Sequence, residues 1–556
     1  MKNAPPRSRW DSEVRLLAWL ATCVSVFSFL FYFQRGDVLL YGDAVAHINI
    51  ARRVFDSKTP GLLQLGTVWL PLPHLLMIPF LLSDEMWRRG VGGSIPSMVA
   101  YVFAVIGMFR LVRGALSWNV KPDRRASFAA WTAAFVFAAN PNLIYMQATA
   151  MGESLYLALF IWAVAYFSEF MRGEEKALTR CGLCVAAACL TRYDGWFLAA
   201  TIAGTLVLLA LLRNRTAQSA PALRVPRAAV AKFVLITAAA PLLWLAYNGI
   251  VYRNPLEFAN GPYSAKAIEQ RTQNSANRGH PGSGNPVLAG MYFVKSAEIN
   301  LAEMEWLQRV WILIAAGGVM ATALIRFQPS ATGAYSAGAW LPLLFLLVPV
   351  PFYALSVAYG GIPIFVPTWW PFSHYNVRYG LQLLPAFAVA LAIVVHQVVR
   401  SENWNIRLRL AWVVGVFALV IGSYISIWRS TPVSLKEAQV NMRARNQLET
   451  QLAIWLRKLP PDSTLLMYLG DHVGALQQAG IPLKRVINEG NHRTWKEPAD
   501  PEGLWERALA DPARYADYVV AFEGDSVWQA VQARRLQALV EIHTTGEARA
   551  ILYRAR

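Results

Sequence analysis

Residues 16–34 read LLAWLATCVSVFSFLFYFQ, a run without a single charged side chain. About 20 apolar residues in a helix are enough to cross the hydrocarbon core of a bilayer. Stretches of this kind recur along the chain as far as residue 428, with short polar loops between them. We predict eleven transmembrane helices, at residues 16–34, 94–113, 126–146, 154–171, 178–192, 196–212, 232–252, 308–326, 338–358, 379–399 and 410–428.

The composition agrees with an all-α polytopic membrane domain. Of the 556 residues 55% are hydrophobic and only 15% are charged, which is too apolar for a soluble protein of this size. Residues 429–556 differ, because they hold 17 basic and 15 acidic residues and no spanning stretch. The pattern there predicts a helix over Leu435–Leu459, a strand over Ser463–Leu469, a helix through Gln478 and strands near Tyr518–Phe522 and Ala538–His543. We therefore predict a membrane domain over 1–428 and a small soluble α/β domain over 429–556.

The net charge of +18 therefore lies almost wholly in the membrane part. Its basic residues are scattered between apolar spans and form no aromatic-studded face, which argues against a nucleic-acid partner. They indicate topology instead. With the N-terminus in the cytoplasm, the inside segments (1–15, 110–125, 171–180, 213–232, 326–337 and 400–409) hold 21 basic residues in 83 positions. With eleven spans, the positive-inside rule then predicts a multi-pass protein whose C-terminal domain lies outside the cytoplasm. We expect the membrane to be a bacterial inner membrane, with this domain in the periplasm.

One apolar stretch is left out of the count of spans. Residues 69–82, WLPLPHLLMIPFLL, are short and contain three prolines, and counting them would place the Arg-rich segments outside. We therefore predict a re-entrant or juxtamembrane helix within the first outside loop. The two long outside loops, 35–93 and 253–307, are expected to cover the membrane domain as a roof.

The first outside loop opens with Tyr41-Gly42-Asp43 and a predicted helix from Ala44 to Phe55. Asp43 can serve as the N-cap of this helix, since an aspartate accepts hydrogen bonds from free backbone N–H groups. Asp43 and His47 are also four residues apart, so one helix face presents a carboxylate and an imidazole together. Capping and catalysis do not exclude each other.

A second carboxylate on the same side is Glu153, in Thr149-Ala150-Met151-Gly152-Glu153. A glutamate in the first turn of a helix is favoured by the helix dipole. An ionisable residue this close to hydrocarbon is also a candidate functional group. A carboxylate can remove the proton of a hydroxyl acceptor, and a second one can orient the first, hold a sugar hydroxyl or bind Mg²⁺ or Mn²⁺ with it. The residues alone leave these alternatives open.

The third candidate element is the aromatic segment 367–379, which contains His374, Tyr375 and Arg378. It can be an interfacial aromatic belt with a snorkelling arginine. It can equally hold a phosphate, because a guanidinium is always charged and forks to oxyanions.

Four further charged residues complete the candidate set. Arg192 and Asp194 lie in a tight outside turn, where they can simply pair with each other. Lys266, in the second outside loop, can reach the cleft, as can Glu257.

These motifs, in this order, resemble the GT-C glycosyltransferases, and among them bacterial relatives of the dolichyl-phosphate-mannose–protein mannosyltransferases and of the lipid A aminoarabinose transferase. The matching residues are Asp43 in YGDAVAHINIARRV, Glu153 in TAMGESLYLAL and the segment NVRYGLQLLP around Arg378, followed by an outside α/β tail. The resemblance implies a polyprenyl-phosphate sugar donor, a hydroxyl acceptor on a glycan, lipid or protein, and inversion at the anomeric carbon. It assigns Asp43 as the base, and Arg378 with Lys266 to the donor phosphate.

The chain departs from the family in one motif. Many relatives carry two adjacent acids at the first site, whereas Gly42 and Ala44 flank Asp43 here, so metal dependence stays open. A multi-span transporter or lipid flippase is the alternative from another class, and a scaffold or receptor is a third. Transporters usually show repeat symmetry and ionisable groups at mid-membrane. The candidate charges of this chain lie at the outer boundary instead.

Overall fold

The computed structural model describes residues 11–117, 123–215, 226–272, 279–326, 337–470, 472–491, 502–532 and 534–556. The N-terminal three quarters of the chain are helical. In chain order the α-helices are α1 (Ser12–Gln34), α2 (Gly42–Arg53), α3 (Leu72–Leu81), α4 (Asp84–Arg88), α5 (Val91–Leu116), α6 (Arg124–Ala138), α7 (Pro141–Gln147), α8 (Glu153–Met171), α9 (Glu175–Cys189), α10 (Asp194–Arg215), α11 (Arg227–Val251), α12 (Glu257–Asn260), α13 (Ala265–Thr272), α14 (Pro286–Leu301), α15 (Glu305–Arg326), α16 (Ala337–Leu344), α17 (Pro349–Tyr359), α18 (Leu384–Arg400) and α19 (Ile406–Ser430).

Within the described residues, eight helical stretches are long and apolar enough to cross a membrane. They coincide with eight of the eleven predicted spans and include α1, α5, α8, α10, α11, α18 and α19, together with the segment Trp340–Tyr359. The other three predicted spans fall on α6 with α7, on α9 and on α15. The chain is therefore a multi-pass membrane protein whose membrane part is all-α, as predicted.

Prolines interrupt two of the predicted spans. The span 126–146 is broken between α6 and α7, where Pro141 stands at the first turn of α7. Asn140 caps the new helix by accepting hydrogen bonds from the backbone N–H groups of Asn142 and Leu143, at 3.0 and 3.1 Å. The span 338–358 is similarly divided into α16, a short 3₁₀ turn and α17, which starts at Pro349. Proline suits the first turn of a helix, whereas in a helix interior it removes one backbone hydrogen bond and kinks or breaks the helix.

The short apolar stretch 69–82 forms α3, a helix of 10 residues. At a rise of about 1.5 Å per residue it is roughly 15 Å long, half the thickness of the hydrocarbon core. It packs against α2 and α5. The length fits the predicted re-entrant or juxtamembrane helix.

The C-terminal part carries a five-stranded mixed sheet, as an α/β domain requires. Its strands run in the spatial order β2-β1-β3-β5-β4, with β1 parallel to β2 and β3, and β5 antiparallel to β3 and β4. The prediction located β3 and came within one residue of β4, but it missed the two-residue β2 and the C-terminal β5. The elements are α20 (Val433–Leu456), β1 (Leu465–Met467), α21 (Gly474–Ala479), β2 (Val486–Ile487), α22 (Leu504–Ala510), α23 (Pro512–Tyr515), β3 (Tyr518–Phe522), α24 (Ser526–Gln532), β4 (Gln537–Ile542) and β5 (Ala550–Arg554).

The first helix of the C-terminal part returns to the membrane domain. The chain turns sharply between α19 and α20 at Thr431, which has a φ of 76°. At the start of α20, the backbone N–H and the hydroxyl of Ser434 both donate to the side-chain oxygen of Asn142 in α7, at 3.0 and 2.7 Å. The carbonyl of Ser434 accepts a 2.7 Å hydrogen bond from the hydroxyl of Tyr41. The helix α20 therefore lies directly beside the start of α2.

Buried polar contacts also join residues 35–93 to the C-terminal domain. Asp56, just after α2, accepts hydrogen bonds from the backbone N–H groups of Leu483 and Lys484, and it pairs with Arg52 at 2.7 Å. Asn49 donates to Gln477 of α21 at 2.8 Å. Because buried polar groups are costly to leave unpaired, these contacts fix the C-terminal domain to the loop that carries Asp43.

Candidate active site

Asp43 lies in the first turn of α2, but it does not cap the helix. The helix begins at Gly42 with Tyr41 as its N-cap, and the capping position makes no side-chain hydrogen bond. The expectation that Asp43 is the N-cap was therefore wrong, because the helix starts two residues earlier than predicted. Its carboxylate instead contacts Arg378 at 2.6 Å and keeps 41% of its surface exposed. Asp43 is thus an accessible carboxylate with a fixed cationic partner.

Arg378 gathers three carboxylates from distant parts of the chain. Its Nη2 contacts Asp43 at 2.6 Å, its Nε contacts Glu153 at 3.1 Å and its Nη1 contacts Glu437 at 2.5 Å. Only 6% of the Arg378 side chain is exposed, and it stacks on the rings of Tyr41 and Tyr379 at 4.9 and 5.1 Å. A guanidinium can make five N–H contacts in one plane, so a single Arg378 orients all three acids.

The backbone that carries Arg378 is held as firmly as its side chain. Arg378 lies in the 3₁₀ segment Val377–Leu383, which packs against α14. The backbone N–H of Val377 donates to Glu437 at 2.7 Å. Gly380 lies against the backbone of α14 so closely that a Cβ would come within 2.4 Å of the nitrogen of Ala297. Only glycine permits this approach, which places Arg378 over the site.

A second arginine extends the network into the helix bundle. Arg192 contacts Glu153 and Asp194, each at 3.3 Å, and donates to the hydroxyl of Tyr353 at 2.9 Å. Tyr353 in turn donates to Asp194 at 3.3 Å and accepts from Gln382 at 3.0 Å. The predicted pair of Arg192 and Asp194 therefore forms, and it is connected to Glu153 and through Glu153 to Arg378.

Together these side chains make a charged cluster, defined as Asp43, Glu153, Arg192, Asp194, Arg378 and Glu437. Four carboxylates and two guanidinium groups give it a net charge of −2 when all six are ionised. Oε2 of Glu153 and Oδ1 of Asp194 are buried, and neither has a hydrogen-bond partner in the described part of the chain. Unpaired buried acceptors are costly, so these oxygens are suited to receive hydrogen bonds from a bound hydroxyl.

His47 borders the charged cluster one helical turn after Asp43. Its Nδ1 is 2.7 Å from Nε2 of His74 on α3, and its ring lies on Trp69 at 4.8 Å. Burial lowers the pKa of His47, although Asp43 and Glu153 act in the opposite direction. A neutral imidazole can donate at one nitrogen and accept at the other, so His47 can orient a substrate hydroxyl beside Asp43.

Three predicted binding residues lie farther from the charged cluster. Lys266 on α13 is exposed and makes no ion pair with any residue that the structure describes. The backbone carbonyl of His374 accepts a hydrogen bond from Asn441. Burial, and to a smaller extent the charge of Lys436, lowers the pKa of the His374 ring. Tyr375 is half exposed. Its partial burial, and to a smaller extent the charge of the Asp43 carboxylate, raises the pKa of its phenol. Of the three, Tyr375 is near enough to Asp43 to respond to its charge.

Asp43 and Glu153 were also the candidate ligands for a divalent cation. The guanidinium of Arg378 stands between their carboxylates and contacts both. A metal ion bound by the two would have to displace it. Among the described residues, no group of three or more His, Cys, Asp or Glu side chains is arranged to hold a metal ion. Arg378 supplies the positive charge at this point.

Sequence reasoning missed Glu437, Tyr353 and His74 as members of the site. Glu437 lies in the second turn of α20, which was assigned to a separate soluble domain, and no local pattern connects it with Arg378. Tyr353 lies inside an apolar span and carries no signal of its own. His74 had a detectable signal, since a histidine in an otherwise apolar stretch requires a polar partner when buried.

Solved structures were found that share this fold. ArnT from Cupriavidus metallidurans in the apo state matches with a TM-score of 0.56 and 13% sequence identity, over 98% of each chain. ArnT from the same organism bound to undecaprenyl phosphate matches with a TM-score of 0.54 and 13% identity, again over 98% of each chain. No protein-family model matches this chain, and no curated protein sequence does.

An oligosaccharyltransferase from Archaeoglobus fulgidus in the apo form is a more remote neighbour. It has a TM-score of 0.47 and 12% identity, over 93% of this chain and 70% of that one. The similarity to ArnT spans both the membrane part and the C-terminal sheet. It shows that the chain has the GT-C fold that the sequence motifs predicted.

Proposed function

We propose that this chain is a membrane glycosyltransferase which moves a hexosyl or pentosyl group from a polyprenyl-phosphate donor to a hydroxyl acceptor. The observation that carries the proposal is the placement of Asp43: an accessible carboxylate, fixed by a buried arginine, on a GT-C fold. Undecaprenyl phosphate bound to ArnT supports a lipid phosphate as the donor carrier. The acceptor class is a glycan, lipid or protein hydroxyl.

In the proposed reaction Asp43 accepts the proton of the acceptor hydroxyl. The acceptor oxygen then forms a bond to the anomeric carbon while the bond from that carbon to the phosphate oxygen breaks, and its electron pair leaves with the lipid phosphate. Attack opposite to the leaving phosphate inverts the anomeric centre. Arg378 holds the Asp43 carboxylate in position, and the unpaired oxygen of Glu153 accepts a hydrogen bond from the sugar.

The role of Arg378 in donor binding stays a prediction. Three of its five N–H donors are directed at carboxylates, which leaves two for a phosphate oxygen. Its charge is more than compensated within the charged cluster. We therefore assign Arg378 primarily to the orientation of Asp43 and Glu153.

The sidedness of the site is part of the proposal. The positive-inside rule places the N-terminus in the cytoplasm, and α2, α20 and the C-terminal sheet on the periplasmic face of the inner membrane. A donor would then enter from the outer leaflet, with its polyprenyl tail among the apolar helices and its phosphate at headgroup depth.

Donor turnover by the Asp43→Asn variant tests the proposal. Purified wild-type protein is given a panel of polyprenyl-phosphate sugars, and consumption of the donor is measured. Asn keeps the shape of Asp43 and one acceptor oxygen for Arg378 but cannot take a proton, so turnover should fall by about 10² to 10⁴-fold. The matched control is Asp84→Asn, because Asp84 is an exposed carboxylate of the same loop and pairs with Arg52.

Three outcomes separate the alternatives. Loss of turnover in Asp43→Asn with full activity in Asp84→Asn supports the proposal. Full activity in both variants removes Asp43 from the chemistry. If the wild-type protein neither binds nor consumes any donor of the panel, the transferase assignment fails and a transporter or flippase takes its place.

A further inference from the structure

We propose that Arg445, on the first helix of the C-terminal domain, is a binding residue for the phosphate of the lipid donor. The inference rests on the proposed function, because it adds a residue to the donor site of that reaction. It also makes the C-terminal domain a part of the site.

The first observation is the position of Arg445 beside Asp43. Its guanidinium lies so close to Gly42 that a Cβ at this glycine would come within 2.5 Å of Nη1 and 3.3 Å of Cζ. Consecutive Cα atoms are about 3.8 Å apart, so Nη1 lies within about 8 Å of the Cα of Asp43. The absence of a side chain at Gly42 therefore makes room for a cation next to the proposed base.

The second observation is that Arg445 has donors to spare. Its Nε contacts Glu449 at 3.1 Å, and its side chain is 20% exposed. In the part of the chain that the structure describes, neither Nη1 nor Nη2 makes a hydrogen bond, and neither is sealed from solvent. Four N–H donors of one guanidinium thus remain for a ligand.

The third observation is that Glu449 holds this guanidinium in place. The side chain of Glu449 is almost fully buried, and burial raises its pKa while Arg445 and the backbone of Gly474 act against that shift. The contact uses Nε and leaves both Nη groups without a hydrogen bond among the described residues. A fork fixed in this manner is suited to two oxygens of one phosphate, since arginine binds such oxyanions bidentately.

Charge balance separates Arg445 from the arginines of the charged cluster. Arg378 and Arg192 serve four carboxylates between them, and their surroundings are net negative. Arg445 has one carboxylate partner and two unused nitrogens. A phosphate anion approaching Asp43 therefore meets its uncommitted cation on the α20 side of the site. The donor is held between α20 and the membrane helices, with the leaving phosphate at Arg445.

The test measures binding of undecaprenyl phosphate to the full-length protein in nanodiscs of zwitterionic lipid. Arg445→Gln removes the cation, and we expect at least about tenfold weaker binding, the effect of one charge-assisted hydrogen bond. Arg443→Gln is the matched control, because it removes an exposed arginine of the same helix two residues away from Arg445. It should keep binding within a few-fold of wild type.

A further variant displaces Arg445 without replacing it. Gly42→Ala places a methyl group 2.5 Å from Nη1, and the flexible end of Arg445 can move aside, so the protein folds but should also bind more weakly. Phosphatidylglycerol added in place of undecaprenyl phosphate tests whether any anionic lipid suffices. If Arg445→Gln and Gly42→Ala weaken the binding of both lipids to the same extent, the site does not select the polyprenyl phosphate, and that part of the inference is overturned.

The outcomes distinguish this inference from the function on which it rests. If Arg445→Gln binds undecaprenyl phosphate as tightly as wild type, Arg445 is not a phosphate ligand, although the transferase proposal stands. If Arg445→Gln and Arg443→Gln lose binding equally, the loss reflects the net charge of this surface and Arg445 is not a specific phosphate ligand. If the wild-type protein does not bind the lipid, the proposed function itself fails.

Discussion

Replacement of Glu437 tests whether the C-terminal domain belongs to the site. Glu437 is fully buried and accepts two hydrogen bonds, from Arg378 at 2.5 Å and from the backbone N–H of Val377 at 2.7 Å. Glu437→Gln keeps an acceptor for one of these donors and loses one charge-assisted bond, about 1.5–3 kcal/mol. Glu437→Ala leaves the buried Arg378 with one carboxylate partner fewer, which lowers the free energy of unfolding by about 3–5 kcal/mol.

The effect can be measured through the buried cysteines. Cys181 and Cys189 are fully buried in α9, so a thiol-reactive fluorophore reports their exposure as the protein unfolds. We expect melting temperatures in the order wild type, Glu437→Gln, Glu437→Ala. Donor turnover should fall about tenfold or more in the Gln variant, because Arg378 loses one of its three contacts with carboxylates. A loss of about 1.4 kcal/mol corresponds to a factor of ten in rate.

The control is Glu541→Gln, since Glu541 is an exposed residue of β4 that pairs with Arg549 at the surface. It should melt and turn over like wild type. Glu437→Ala with the stability and turnover of wild type would refute the reasoning, because α20 would then contribute nothing to the orientation of Arg378.

Two further predictions concern histidines. His74→Phe keeps the ring volume but removes the 2.7 Å contact with His47, so turnover should fall about tenfold, the effect of one hydrogen bond of about 1.5 kcal/mol. The control is His396→Phe, because His396 is a buried histidine of α18 near Arg400. Equal turnover in both variants would contradict a role for His74. The ring of His472 stacks on that of Phe522, with 4.2 Å between the ring centroids. Burial, and to a smaller extent the charge of Arg445, lowers the pKa of His472 from 6.5 to about 4. The folded state therefore binds fewer protons than the unfolded state between these values, so the stability is complete above about pH 6.5 and falls by about 3 kcal/mol as the pH drops to 4. Unfolding of His472→Phe measured against pH should lack this dependence, and an unchanged profile would contradict the assignment.

The helices of the membrane part could be predicted because hydropathy is a property of each segment alone. An apolar run such as 16–34 or 410–428 must be buried in lipid wherever its neighbours lie, and its backbone must be helical there. The strand Tyr518–Phe522 could be predicted for the same reason, since four of its five residues are β-branched or aromatic. Interruptions at Asn140-Pro141 and Pro349 were missed, because the hydropathy pattern continues across them.

Only the tertiary structure decided which charges meet. The sequence named Asp43, Glu153, Arg192, Asp194 and Arg378 as candidates, but it did not connect Arg378 with acids 335, 225 and 59 residues away. It also assigned Glu437 and Arg445 to an independent domain. Burial depends on the composition of one segment, whereas an ion pair depends on the distance between two. That distance was set when α20 packed onto α7 and the start of α2.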